Sequence, residues 1–171
     1  KTTSFIVTNN GLTFESKKII DKYPTIRFGD YISKTKNISS FECNIVINAA
    51  PSGEYWAIGF ITNKFNKWEH NDYNHGDEAI FFYGTGYVVK SNDFECQYKH
   101  KESIFNQTVW LAKNDTIFVS INMNTNTGKI TNITKNKSVT TKIPNVVALA
   151  IHGHAYYMDL KCTVKHYKIK K

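Results

Sequence analysis

Arginine is almost missing from this chain: of its 22 lysines and arginines, Arg27 alone is an arginine. The formal net charge of +8 would otherwise suggest a nucleic-acid partner. Guanine edges and phosphates, however, are read best by the planar, bidentate guanidinium, and lysine supplies only point charge. The lysines are also scattered, apart from Lys17-Lys18 and the terminal VKHYKIKK, which is the pattern of solvated strand faces and loops. No nucleic-acid partner is expected, whereas an acidic protein segment would be steered favourably.

Cysteine is scarce and has no useful spacing. Cys43, Cys96 and Cys162 cannot all pair within one chain, and none forms a C-x-x-C, so buried free thiols in a reducing compartment are expected. Long apolar runs are missing too: nothing approaches the roughly 18 to 20 residues of a helical membrane span. Acceptor sequons, in contrast, are plentiful, at Asn37, Asn106, Asn114, Asn132 and Asn136. In a chain rich in Asn, Ser and Thr several arise by chance, so they weigh little. The expected location is cytoplasmic, with a secreted or cell-surface protein as the alternative. The first residue is Lys1 rather than methionine, which is compatible with removal of a signal peptide or of neighbouring domains.

No segment has the amphipathic period of a helix, and no internal repeat or linker divides the 171 residues, so residues 1–171 read as one domain. A 41% hydrophobic content with 14% aromatics is ample for a core. Period-two alternation dominates. SFIVT (4–8) and LTFES (12–16) flank Asn10-Gly11, a hairpin dipeptide. TIRF (25–28) follows Pro24. In FECNIVI, Phe41, Cys43, Ile45 and Ile47 share one face. EYWAIGFIT (54–62) is a nearly continuous apolar run, with Trp56, Ile58 and Phe60 toward one layer and Tyr55, Ala57 and Gly59 toward another; Gly59 suits a close approach by another backbone or ring. AIFFY (79–83), YVVK (87–90), TVWLA (108–112), TIFVSINM (116–123), KITNITK (129–135), VVALAI (146–151) and LKCTVKHYKI (160–169) complete the set. Trp110 and Ile133 are expected near the core, and Leu160, Cys162, Val164 and His166 on one face of the last strand. The fold class is all-β, an antiparallel sandwich.

Several of these segments, in this order, resemble the SPRY (B30.2-like) domains. FECNIVI is similar to the family's "F-E-V" strand, YWAIGF (55–60) to its "W-x-(I/V)-G" strand, YNHGDEAIFFYGTG (73–86) to its His-Gly-Asp segment, and KNDTIFVSINMNTNTGKITNITKNKS (113–138) to its closing hairpin. The chain departs from the family pattern at Asn114, Asn122 and Lys137. The neuralized-type repeat is a near competitor, because NNGLTFESKKI (9–19) is similar to its opening. The resemblance implies a concanavalin A-like, SPRY-like jelly roll that binds a peptide segment of a partner through loops at one end of the sandwich.

The stretch KWEHNDYNHGDE (67–78) holds the densest group of polar and aromatic residues. His70, Asp72, His75, Asp77 and Glu78 are competent metal ligands, but the calcium-loop pattern fails at Gly76-Asp77 and the histidine spacing is not one that zinc uses. No metal or cofactor is expected. Nor is an enzyme: no E-x-D-x-x-E strand or G-x-S-x-G elbow occurs, and nothing orients Cys96 and His100. Recognition remains. The ligand-binding candidates are Trp68 and Tyr73 as apolar anchors, with His70, Asp72, His75 and Asp77 as hydrogen-bond or charge partners. The other role for Trp68 is a lid folded back on the core. His152-Gly153-His154 reads as a second, solvent-exposed polar turn. A peptide-binding, non-catalytic interaction module is therefore the expected function. A carbohydrate-binding lectin is the alternative, since sandwich lectins also hold sugars with aromatic faces, Asp and Asn.

Overall fold

The computed structural model describes residues 5–8, 12–16, 23–70, 78–95, 110–154 and 159–171. Among these residues the strands are β1 (Phe5–Thr8), β2 (Thr13–Ser16), β3 (Tyr23–Ser33), β4 (Ser40–Ala49), β5 (Trp56–Ile61), β6 (Glu69–His70), β7 (Ala79–Tyr83), β8 (Val88–Lys90), β9 (Thr116–Asn122), β10 (Thr127–Asn132), β11 (Lys137–Lys142), β12 (Val146–Gly153) and β13 (Lys161–Lys170). They form two antiparallel sheets, one of seven strands ordered β1-β2-β13-β4-β9-β10-β11, the other of six ordered β6-β3-β12-β5-β7-β8. The all-β sandwich expected from the alternation is the architecture found.

Alternation places the core. Phe41, Cys43 and Ile45 of β4 stand opposite Ile121, Val119 and Ile117 of β9, and all six are buried. The same cluster takes in Trp56, Ile58 and Phe60 of β5, Ile80 and Phe82 of β7, and Leu149 and Ile151 of β12. Burying each such side chain contributes about 1.5 to 3 kcal/mol, which makes this inter-sheet layer the main source of stability.

The six-stranded sheet departs from a simple two-layer plan. Every residue of β5 is buried, as is every residue of β7. A second apolar cluster, Ala57, Ile61, Phe65, Ala79, Phe81, Tyr83, Val89, Ala148 and Ala150, occupies the face turned away from the seven-stranded sheet. Its middle strands carry small residues: Gly59 lies between Ala150 of β12 and Phe81 of β7. A Cβ on Gly59 would sit 1.8 Å from the Ile80 carbonyl oxygen, which is the close backbone approach expected of this glycine.

Several local expectations are corrected. His152 is not in an exposed turn: β12 continues through it, and its buried ring stacks on Phe81 at 4.8 Å and shares a 2.6 Å hydrogen bond between Nδ1 and Thr25 Oγ1. Residues 110–112 are not strand; Trp110 is nevertheless buried, with its Nε1 donating to the Tyr83 carbonyl at 2.7 Å. β10 ends at Asn132, so Asn132 is buried and Ile133 is 53% exposed. In β13 the alternation holds to Val164 and then breaks at a bulge between Lys165 and Lys168, where His166 has φ of +53°. The extra residue turns His166 outward and lets Tyr167 pack edge-on against Phe28 and Phe41. Finally, β3 extends well past Phe28, through a register shift against β12 at Gly29, and β11 joins the sheet edge although its sequence KSVTTK has little apolar signal.

A polar network locks the segment before β9 to the β10–β11 hairpin. Asp115 Oδ2 accepts from Ala112 N at 3.0 Å, Asn132 Nδ2 at 2.8 Å and Lys135 Nζ at 2.6 Å. Asn132 Nδ2 also donates to the Trp110 carbonyl, and Asn132 Oδ1 accepts from Lys135 N at 3.0 Å. Each polar group removed from water thus finds a partner, which is the condition for such a network to hold.

Two consequences can be measured. Gly59→Ala is expected to cost about 3 kcal/mol in urea unfolding, since the neighbour that must move is backbone; an unchanged midpoint would contradict the close approach. Burial pushes the Cys43 and Cys162 thiols up to about 12, so the nucleophilic thiolate is scarce at pH 8. In a Cys96→Ser background both should resist a disulfide exchange reagent in the folded protein and react at once in guanidinium; rapid native-state labelling would contradict their burial.

Candidate recognition site

Strands β5 and β7 pair from Ala57↔Tyr83 to Ile61↔Ala79, so residues 62–78 connect the two strands at one end of the pair, as an excursion from it. The neck of this excursion is closed by two bonds. Thr62 N donates to the Glu78 carbonyl at 2.9 Å, and Thr62 Oγ1 donates to Glu78 Oε2 at 2.7 Å. Thr62 also starts a turn, accepting from Lys64 N at its side chain and from Phe65 N at its carbonyl. Glu78 closes the excursion at φ +57°, a left-handed conformation that a non-glycine residue adopts only when its surroundings hold it there.

From the neck the chain crosses the outer face of the six-stranded sheet. Phe65 is buried in the second apolar cluster, edge-on to Phe81 at 6.3 Å and to Trp68 at 5.0 Å. Trp68 is half-buried against the same cluster, and its carbonyl accepts from Thr25 N at 2.7 Å. Glu69 and His70 then pair with Pro24 and Tyr23 as the outermost strand, β6. Proline is tolerated there because it stands at the start of β3, one residue before the pairing with β12 that ends at Thr25.

Trp68 therefore lies as a partial lid, though on the outer cluster rather than between the sheets. Of His70 the backbone alone is described, and Asp72, Tyr73, His75 and Asp77 lie outside the described residues. What the fold brings toward the described part of the excursion comes from distant sequence. The Tyr23 ring meets His154 edge-on at 4.4 Å, and His154 N donates to the Tyr55 carbonyl at 2.9 Å. The Arg27 guanidinium lies 4.6 Å from the centre of the Tyr31 ring, which packs on the outer cluster. Lys36 Nζ, 3.0 Å from Asp30, and then the Tyr31 N–H hold the exposed Asp30 carboxyl below its usual range. Sequence reasoning passed over Tyr23, Arg27 and Tyr31 because only the β3–β6 and β3–β12 pairings place them here. His154 was visible as half of the His-Gly-His pair, but its partner Tyr23 was not.

Among the described residues, no three or more His, Cys, Asp or Glu side chains gather as metal ligands. No described helix is long and apolar enough to cross a membrane.

No family model and no curated protein matches this sequence. Solved structures do. The SPRY domain of human HERC1 superposes with a TM-score of 0.66 at 11% identity, covering 95% of this chain and 92% of that one. Another human SPRY domain gives 0.58 at 13% identity, over 95% and 94%. Arcelin-5, a lectin-like defence protein from Phaseolus vulgaris, gives 0.54 at 11% identity, over 98% and 90%. Identities this low carry the architecture and not the chemistry of a site. The chain has the β-sandwich fold of SPRY domains.

Proposed function

We propose that the protein is a non-catalytic interaction module that docks a short, acidic segment of another protein against the 62–78 excursion. The observation that carries this reading is the way the excursion is mounted. Its neck is hydrogen-bonded, its root is a buried phenylalanine, and its far side is paired as a strand. The described part of the loop, held at these points, has little conformational freedom left to lose on binding, which favours affinity. Its sequence supplies Trp68 and Tyr73 as anchors and Asp72, His75 and Asp77 as polar partners, residue types that dominate or orient interfaces. The fold class supports the same reading, since SPRY-type sandwiches serve generally as protein-interaction modules. The charge of +8 favours an acidic partner, through an attraction that salt screens.

The test is a selection from a displayed peptide library, run beside a glycan array. Wild type is expected to enrich acidic peptides whose affinity falls as salt rises. The double variant Trp68→Ala, Tyr73→Ala should melt cooperatively yet bind them about tenfold or more weakly, as the loss of two aromatic anchors implies. Equal binding by both proteins would remove the proposed site. Sugar binding abolished by Trp68→Ala would transfer it to a carbohydrate.

The mounting has its own readout. Phe65→Ala is expected to cost about 3 kcal/mol and Thr62→Val about 1 to 2 kcal/mol for the bond to a carboxylate. Native-state hydrogen exchange in residues 62–78 should accelerate in both. If exchange there is unaltered, the excursion is held by something else.

A further inference from the structure

Asn132 begins the sequon Asn132-Ile133-Thr134, yet its side chain is completely buried. Its amide nitrogen carries two hydrogens and spends both, one on the Trp110 carbonyl and one on Asp115 Oδ2 at 2.8 Å. In N-glycosylation the bond from the sugar C1 to the lipid pyrophosphate breaks, a C1–Nδ2 bond forms, and one amide proton leaves with the pyrophosphate. A modified Asn132 would keep a single N–H. Either the Trp110 carbonyl or the Asp115 carboxylate would then be buried without its donor, and a sugar ring would have to occupy close-packed space.

In a chain routed to the lumen this modification would precede folding. Glycosyl transfer takes place on the chain as it enters the lumen, before β10 can pair, at the acceptor motif of Asn, a residue other than proline, and Ser or Thr. Position alone separates Asn132 from its neighbours. Asn37, Asn114 and Asn136 are exposed turn residues with φ of +56°, +72° and +53°, where a glycan would project into solvent. An independent observation points the same way: Cys43 and Cys162 are buried free thiols, the cysteine usage of a reducing compartment.

We propose that this fold excludes N-glycosylation at Asn132, and that the chain accordingly folds on the cytosolic side of the membrane, away from oligosaccharyltransferase. The inference is independent of the peptide-docking reading, because Asn132 belongs to the seven-stranded sheet and the excursion covers the outer face of the other.

To test it, the full chain is expressed in cultured animal cells with and without a cleavable signal sequence, alongside Thr134→Ala. That variant deletes this sequon, keeps the other four, and loses one exposed hydrogen bond, to Thr116 N at 2.9 Å. Occupancy of Asn132 is read by peptide mass after enzymatic deglycosylation, and folding by secretion and a cooperative melt. The lumen-routed wild type should carry glycan on Asn132 and be retained, while Thr134→Ala, glycosylated elsewhere, should be secreted at about tenfold or higher yield, as quality control of an unfolded chain implies. Without the signal sequence both should fold. Tunicamycin provides an arm that needs no variant: it should release the lumen-routed wild type, and failure of that release counts against the proposal. Secreted wild type with a normal melt, whether Asn132 carries glycan or has been skipped, would overturn it.

Discussion

A strand buried on both faces needs cover on both, and β5 and β7 impose that requirement on the whole six-stranded sheet. In a two-layer sandwich the outer face of a sheet normally meets water and carries polar residues. Here that face carries Ala57, Gly59 and Ile61 beside Ala79, Phe81 and Tyr83. Leaving Phe81 alone in water would forfeit about 2 kcal/mol. The excursion between these two strands answers the need, laying Phe65 and Trp68 over the cluster that its own flanking strands create. The small residues of β12 and β5 leave the depth for it: Ala148, Ala150, Ala57 and Gly59 form a low floor between bulkier rings. The segment proposed for recognition is thus the one that supplies the cover.

Trp68 meets the lid expectation in part, on the outer cluster. A half-buried indole with one edge contact to Phe65 contributes to stability with part of its surface and leaves the rest available. Tryptophans at interfaces commonly have this character, since a ring already held in place loses little freedom on binding.

The sandwich was legible wherever a strand kept strict register. FECNIVI announces its inward face by alternation, and EYWAIGFIT announces double cover by its unbroken apolar run. Legibility failed where a single residue changes the phase. One left-handed residue, His166, reverses the faces of β13, and histidine gives no warning of it. Gly29 carries β3 through its register shift and on to Ser33, while β11 escapes notice because an edge strand with one solvated face needs few apolar residues. Burial of a polar residue is harder still to read. Asn132 and His152 look like surface residues, and only their partners Asp115, Trp110, Thr25 and Phe81, distant in sequence, make the interior acceptable to them. The candidate site shares this limit. The loop composition pointed to 67–78, but Tyr23, Arg27, Tyr31 and His154 enter through strand pairing.

The Asp115 network bears on the choice between peptide and sugar as well. Secretion drew its support from the number of sequons, and a sequon is evidence for glycosylation only when its asparagine can carry a glycan in the folded state. Asn132 cannot, because both of its amide hydrogens hold a buried carboxylate and a buried carbonyl in place. An asparagine so committed reverses the meaning of its motif: the sequon becomes a liability in the lumen and is harmless in the cytosol. The similarity to arcelin-5 does not restore the balance, because at 11% identity it shows a shared sandwich alone. In this chain the outer face of the six-stranded sheet is covered by a segment rooted at Phe65, and the proposed reading rests on that mounting.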